Sequence, residues 1–417
     1  KLYSDLVYSY KLSGTEICLL LFDQGVLKYN EQEFDKLKNG TLSAYSFITE
    51  KIRKIEITPA QLALDPCSAS VVVTDAKTGD VIAMVTYPSY DNNKLANKID
   101  SSYWNKLNTD LTTPIYHRAA KQKTAPGSTF KMITAVAGLE EGAIGPTDTI
   151  YDKLKFDRIA NGPKCWSTHS HGDVDVTTAL EVSCNFFFYE VGWRLGSDTS
   201  GKNRDQTTLD TLENYAKLLG LDKKSGIELE EAEPHASDEG SVRSAIGQGT
   251  NNYSPIQLAR YVTTVATSGK SFELTLIEKI VDKDGKVVLD NKPEYDEVSE
   301  VKQSTWDLVH EGMYKVGNGS KSSVSYVFKD FPVKVAGKTG TAQESTFHGN
   351  HALFVSYAPF NKPEISTVVV IPNGYASSNA AELSRDIYKY YFHLDGSDEL
   401  IDGPAILPDS DTVGVTD

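Results

Sequence analysis

The sequence predicts an α/β protein of the α+β kind, a mostly antiparallel sheet flanked by helices. Three observations carry this. Residues 70–91, SVVVTDAKTGDVIAMVTYPSYD, form two β-rich runs around a turn at Thr78, Gly79 and Asp80. Toward the other end, FPVKVAGKTGTAQ, HALFVSYAPF and EISTVVVIPNG read as three further strands. The chain between is mostly helical, so the sheet draws its strands from both ends around a large helical insert.

In chain order, residues 1–60 read as short helices, EQEFDKLK at 31–38 and AYSFITEKIRKI at 44–55, and resemble the remnant of a preceding domain. The hairpin follows. APGSTFKMITAVAGLEEG at 125–142 reads as a buried helix, with Phe130, Ile133, Val136, Ala137 and Leu139 apolar. A polar loop region at 150–175 precedes a second helical run, TTALEVSCNFFFYEVGWRLG. Amphipathic helices at 208–219 and 254–268 are followed by a hairpin, EKIVDKDGKVVL, turning at Asp284–Gly285. A helix near 304–316 leads into the three late strands, and AAELSRDIYKYYFH closes the core. Residues 394–417 are acidic and carry no Lys or Arg, which marks a solvated tail.

The totals exclude some classes. A chain of 417 residues, 40% hydrophobic and 24% charged, has ordinary globular composition. A net charge of −15 argues against nucleic acid as a partner. No apolar run reaches the roughly 18 residues that cross a bilayer. The chain starts at Lys1, not Met, and reads as trimmed, which leaves room for an anchor or export signal before it. Four cysteines, Cys18, Cys67, Cys165 and Cys184, are too few for a disulfide scaffold; one bridge or four buried thiols both fit.

Chemistry enters with Ser128 and Lys131. At i and i+3 they share a helix face. Ser128 follows Pro126–Gly127 at the expected helix start, where unpaired N–H groups favour developing negative charge. A serine there is a nucleophile if a base takes its proton. Lys131 is that base only when neutral. From an ordinary value of about 10.4, half-neutrality at pH 7 requires its pKa to fall by about 3.4, at a cost of roughly 4.6 kcal/mol. Burial and a second cation supply such a shift, so the hypothesis requires a second lysine. The plain alternative is that Ser128 caps the helix and Lys131 reaches back to solvent.

The second cation is offered by Lys338 in the strand-like KTGT. There Thr339 and Thr341 can present hydroxyls to a carboxylate, and Gly340 leaves room for a ligand backbone along the strand. The third piece is Ser183-Cys184-Asn185: Ser183 can relay a proton and Asn185 can bond a substrate amide. The plain alternative is a polar break between helices. Each motif has a chance copy: Ser299-Glu-Val-Lys302 in a charged stretch, Lys77-Thr78-Gly79 in a turn, and Ser377-Ser378-Asn379 in a loop. Their combination, in this order, is what discriminates.

With these motifs go PCSASVVVTDAKTGDVIAMVTYPSYD, APGSTFK, EVSCNFFF, AIGQG at 245–249, and AGKTGTAQE followed by HALFVSYAP. Together they resemble the transpeptidase domain of class B (monofunctional) penicillin-binding proteins over residues 61–393. The resemblance implies a serine β-lactamase/transpeptidase-like fold. Ser128 would be the acylated nucleophile and Lys131 its general base. Ser183 would pass protons, Asn185 would hold the donor peptide, and Lys338 would tune the field and bind. Thr339, Gly340 and Thr341 would receive the substrate's terminal carboxylate. The N–H groups of Ser128 and Thr341 would form the oxyanion hole, and Lys131 and Lys338 would titrate as a coupled pair. Residues 1–60 would be what is left of an N-terminal pedestal domain.

The implied activity is crosslinking of peptidoglycan stem peptides, with β-lactams acylating Ser128 as substrate mimics. A membrane glycosyltransferase partner and an extracytoplasmic, membrane-anchored location are implied too. The rivals on this fold are a β-lactamase or D,D-carboxypeptidase, which must activate water, a β-lactam sensor that acylates without turnover, and a degenerate structural member. Cys184 stands where class A β-lactamases have Asp and is expected to be packed and unreactive. Cys165, His169 and His171 invite a metal, but no second cluster or HExxH helix supports one; a loop at the rim of the cleft is expected instead. His351, opening a strand, reads as structural. Gly247-Gln248-Gly249 lacks the strand–helix context of a nucleotide loop. No cofactor and no metal are expected.

Overall fold

The computed structural model describes residues 12–54, 56–57, 68–110, 112–342 and 349–402. By contact the chain divides into two compact units. One takes residues 1–67, 92–113 and 345–348; the other takes 68–91, 114–344 and 349–417. Residues 92–113 thus go with the first unit, although in sequence they lie between the early hairpin and the first motif.

In the first unit, helices Gly14–Asp23, Glu31–Lys38 and Ala44–Arg53 start at Ser13, Asn30 and Ser43, whose side chains accept backbone N–H bonds. Ser13 and Glu16 make a full capping box. The helices bury Cys18, Leu21, Phe22, Leu27, Leu37, Phe47 and Ile57 together. A further helix, Ser101–Thr109, is capped by Asp100.

In the second unit, five antiparallel strands form one sheet in the order Val81–Tyr87, Ala69–Asp75, Ile365–Ile371, His351–Ala358, Ala336–Ala342. The hairpin turn holds Gly79 at φ +79°, and the Asp75 carboxylate accepts the N–H groups of Lys77 and Thr78 at 2.6 and 3.1 Å. The first KTG is therefore turn chemistry, as its sequence context suggests.

Strands Ala69–Asp75 and Ile365–Ile371 are Val-rich because both faces are covered. Val72, Leu353, Val355, Val368 and Val370 pack into the core that holds helix Pro255–Ala266. Val71, Val73, Phe354 and Val369 face the core of helix Ser377–Tyr391. Each such side chain stabilises the fold by roughly 1.5–3 kcal/mol. This two-sided core sets the register that carries Lys338 opposite Val355 and Thr341 opposite Ala352 on the edge strand.

The helical insert supplies Lys131–Glu140, Val176–Glu181, Asn185–Leu195, Asp205–Leu218 and Gln303–Asn318, among others. The hairpin at 278–289 forms from Lys279–Val281 and Val287–Asp290. The small pairing of Lys270–Phe272 with Tyr295–Glu297 has no counterpart in the sequence reading. Ser377, Ser378 and Asn379 are the first turn of the closing helix, not a loop. In the expected tail, Glu399–Asp402 is a short helical turn, and residues 403–417 lie outside the described residues. No helix among the described residues is long and apolar enough to cross a membrane.

His310 gives this fold a pH sensitivity. Its Nε2–H donates to the Val265 carbonyl at 2.7 Å, and its ring packs near Trp306 and Tyr357. Burial holds its pKa below the ordinary 6.5, against smaller opposing effects of the Val265 carbonyl and Asp307. The unfolded chain therefore binds more protons between the folded value and about 6.5, and stability falls as pH drops through that window. His310→Gln is expected to flatten part of the loss of Tm between about pH 7 and pH 5, read by thermal unfolding across pH. An unchanged slope would remove His310 from this account.

Candidate active site

The first motif is built at a junction. Gly127 adopts φ +52°, and its N–H donates to the Gly247 carbonyl at 3.1 Å. A Cβ at Gly127 would lie 2.8 Å from the Thr341 carbonyl oxygen, so only glycine lets this turn sit on the edge strand. Gly127–Phe130 is a 3-10 turn, and the α-helix begins at Lys131. This corrects the expected α-helical start at Ser128. Residues three apart eclipse in a 3-10 turn, so Ser128 and Lys131 still share a face. Neither start carries a side-chain cap, and Lys131 is 0% exposed, so the capping and snorkelling alternative does not describe this site.

Lys131 Nζ donates to the Ser183 carbonyl at 2.7 Å, Ser183 Oγ at 3.1 Å and Asn185 Oδ1 at 2.6 Å. It also lies 5.6 Å from the Phe188 ring centroid. The first and second motifs, more than 50 residues apart in sequence, are one hydrogen-bonded cluster.

The second motif does fall at a break between helices, and the break has a definite form. The Cys184 N–H donates to the Ala179 carbonyl and the Ser183 N–H to the Leu180 carbonyl. This pattern ends a helix with one left-handed residue, usually glycine. Here that residue is Ser183, at φ +53°. A side chain in this conformation costs roughly 1–2 kcal/mol. Cys184 then caps helix Asn185–Leu195, its Sγ accepting from the Phe187 N–H at 3.5 Å. It is fully buried, and the Cys165 sulfur beside it, together with burial, pushes its thiol well up. This fits the packed, unreactive cysteine expected.

In the third motif Lys338 is also 0% exposed, its Nζ donating to the carbonyl and hydroxyl of Thr339 at 3.3 and 3.2 Å. Glycine at 340 also has a packing reason. A Cβ there would meet Thr129 Cγ2 at 2.8 Å, and Leu353 Cβ and the Pro126 carbonyl at 3.0 Å. The missing side chain admits the protein's own nucleophile turn.

Ser128, Ser183, Asn185, Thr339 and Thr341 line one cleft of about 280 Å³. Trp166, Tyr189, Arg243, Ile246, Gln248, Ser323 and Asn350, which belong to none of the three motifs, share it. The AIGQG stretch was the available signal for two of them. Its Gly247 accepts the Gly127 N–H, and Gln248 reaches the cleft. Trp166 confirms that the 164–171 loop borders the cleft. Its indole N–H is shared between the Val182 and Ser183 carbonyls at 3.2 and 3.1 Å.

Cys165 accepts the Asn185 N–H at 3.3 Å. Hydrogen bonding from the Cys184 thiol, aided by His171 and a backbone N–H, holds Cys165 well below the ordinary thiol range despite burial. His171 is bound in turn by the buried Asp152 carboxylate at 2.7 Å. Asp152, Cys165, His171 and Cys184 bring one ligand atom each within 4.8 Å of one another. One oxygen, one nitrogen and two sulfurs form a set that a borderline divalent ion such as zinc accepts. No second cluster or HExxH helix in the sequence supports a metal at Cys165, His169 and His171; the fold places Asp152 and Cys184, and not His169, beside Cys165 and His171.

The remaining decoys have structural places. Lys302 pairs with Glu140 at 2.8 Å, and Ser299 is exposed. His351 opens its strand and accepts the Asn373 N–H at 3.0 Å, a structural bond. Cys18, Cys165 and Cys184 are buried free thiols; Cys67 lies outside the described residues.

Comparison with known proteins identifies relatives over most of the chain. A peptidoglycan D,D-transpeptidase MrdA from Haemophilus influenzae is 31% identical over 366 residues, covering 79% of this chain and 54% of that protein. The crystal structure of Pseudomonas aeruginosa PBP2 in complex with WCK 5153 aligns with a TM-score of 0.69 at 27% identity, covering 84% of this chain and 78% of that one. A chain from a structure describing coordination of polymerization and crosslinking by a peptidoglycan synthase complex aligns with the same TM-score at 27% identity, covering 82% and 57%. The chain spans about half the length of the curated relatives it matches. The model of the penicillin binding protein transpeptidase domain matches residues 69–389, most of the sequence, and the chain belongs to that family.

Proposed function

We propose that this chain is the catalytic part of a peptidoglycan D,D-transpeptidase, with Ser128 as nucleophile and Lys131 as its base. The observation that carries the reading is the buried Lys131 amine, bonded to Ser183 and Asn185 one 3-10 turn behind a serine that opens on the cleft.

A neutral amine has two N–H donors and one lone pair. The Ser183 carbonyl and Asn185 Oδ1 are pure acceptors and take the two donors. The amine's lone pair would take a hydroxyl proton, from Ser128 during attack or from Ser183 during relay. Ser128 Oγ would attack the penultimate D-Ala carbonyl carbon and break its C–N bond. The serine proton would pass through Lys131 and Ser183 to the departing D-Ala nitrogen. An amine of a neighbouring stem peptide would then attack the ester and restore the Ser128 hydroxyl. With Oδ1 held by Lys131, the Asn185 amide N–H group is the part that remains to bond the donor peptide. Lys338 would hold positive charge near the nucleophile, and Thr339, Gly340 and Thr341 would receive the substrate carboxylate. The cost of a left-handed Ser183 fits a hydroxyl retained for use.

The whole protein is proposed to work at the extracytoplasmic face of a bacterial membrane. Its partners would be a membrane glycosyltransferase and β-lactam antibiotics as inhibitors; the synthase-complex match supports the first. Residues 1–60 would belong to a pedestal domain.

Intact mass after incubation with benzylpenicillin tests the reading. Wild type is expected to carry one stable adduct for hours, and Ser128→Ala none. Rapid drug loss without an adduct would make the chain a hydrolase. Neither adduct nor drug loss would remove Ser128 from its role.

A further inference from the structure

Two consecutive residues of the 164–171 loop grip the two ends of the second motif. Cys165 accepts the Asn185 N–H, and Trp166 donates to the Ser183 and Val182 carbonyls. We propose that Trp166 is a positioning residue for catalysis: its indole N–H fixes the Ser183 carbonyl that orients Lys131, an inference resting on the transpeptidase reading above.

The argument starts from the carbonyl. The Ser183 oxygen has two lone pairs, and the described bonds fill both, one with Lys131 Nζ at 2.7 Å and one with Trp166 Nε1 at 3.1 Å. Val182 is the C-cap of helix Val176–Glu181, and its carbonyl is among the helix-end groups that need a donor from outside. The indole meets it at 3.2 Å. One N–H thus spans the two carbonyls flanking the strained φ of Ser183. Without it, Ser183 can relax toward an ordinary backbone conformation, and both its carbonyl and its hydroxyl turn relative to Lys131.

Trp166 is 39% exposed and lines the cleft. A ring there could serve only as an apolar wall for ligands, or only pack against the tilted His171 ring, whose centroid is 5.6 Å away. Phenylalanine supplies a wall and a ring contact but no N–H. The two roles therefore separate in one substitution.

The test resolves benzylpenicillin acylation into noncovalent affinity and acylation rate constant for wild type and Trp166→Phe, with Tm for both. A positioning role predicts an acylation rate constant lower by about tenfold to hundredfold, an affinity within about threefold and a Tm near wild type. Should Trp166→Phe lower Tm, β-(3-benzothienyl)alanine at 166 keeps the bicyclic ring and removes only the N–H. A rate constant within about threefold of wild type, or a loss confined to affinity, overturns the proposal. Wild type acylating normally in those cases leaves the transpeptidase reading intact, whereas wild type failing to acylate removes that reading itself.

Discussion

Lys131→Met is expected to slow acylation of Ser128 by benzylpenicillin about 10³-fold while leaving the protein folded. Methionine has nearly the length of lysine and no proton to accept or give. General base catalysis is worth about 10²–10⁴ in rate, and Lys131 is bonded to both Ser183 and Asn185, so its loss also frees the relay. Opposing effects act on stability. The Ser183 and Asn185 acceptors lose their donor, costing about 1–3 kcal/mol for each left unsatisfied. Removing a fully buried amine returns part of its desolvation cost. Lys131→Arg separates base from charge, because a guanidinium keeps its proton at any pH the protein survives. If Lys131→Arg acylates within tenfold of wild type by quenched-flow mass spectrometry, the residue is a fixed charge and the base lies elsewhere. Equal loss in both variants identifies proton transfer as what the amine supplies.

What the sequence made legible has a common physical basis. The early hairpin, the KTGT strand and the closing helix are dictated by side-chain periodicity within a few residues, and one-dimensional patterns contain that information. The Ser128–Lys131 pairing is equally local. What stayed hidden depends on approach between distant segments. Nothing near Ser183 announces a left-handed conformation, because the fold holds a serine where the local rule expects glycine. Gly340 is legible as a glycine, but only the assembled site reveals Pro126 and Thr129 against it. Asp152 gains significance only when the loop folds it onto His171 and brings both beside Cys165 and Cys184. The pairing of Lys270–Phe272 with Tyr295–Glu297 is three residues long and bridges an intervening hairpin, too little for periodicity to register.

Gly247→Ala is expected to damage catalysis more than its cost to stability would suggest. The position carries two separable constraints. Its φ of +74° costs an alanine roughly 1–2 kcal/mol. Its missing Cβ would sit 2.1 Å from the Gly127 carbonyl oxygen and 2.7 Å from Phe130 Cβ. The first of these is backbone of the nucleophile turn, so no side-chain rotation relieves it and the turn itself must move. The Gly127 N–H bond to Gly247 stretches with it. A misplacement of about 1 Å at a reacting group costs on the order of 10² in rate. The expected result is a Tm lower by several degrees and acylation of the folded fraction slower by about 10²-fold. Gly249→Ala is the matched control. It shares nearly the same φ, +73°, but its Cβ would press on the Ser237 and Ser244 hydroxyls at 2.5 and 2.7 Å and on the Glu239 carbonyl at 3.0 Å, none of them part of the nucleophile turn. A comparable fall in Tm with near-normal acylation in Gly249→Ala would assign the catalytic loss in Gly247→Ala to displacement of Ser128. Equal acylation in the two variants would mean that the turn tolerates the shift and that Gly247 is retained for backbone conformation alone.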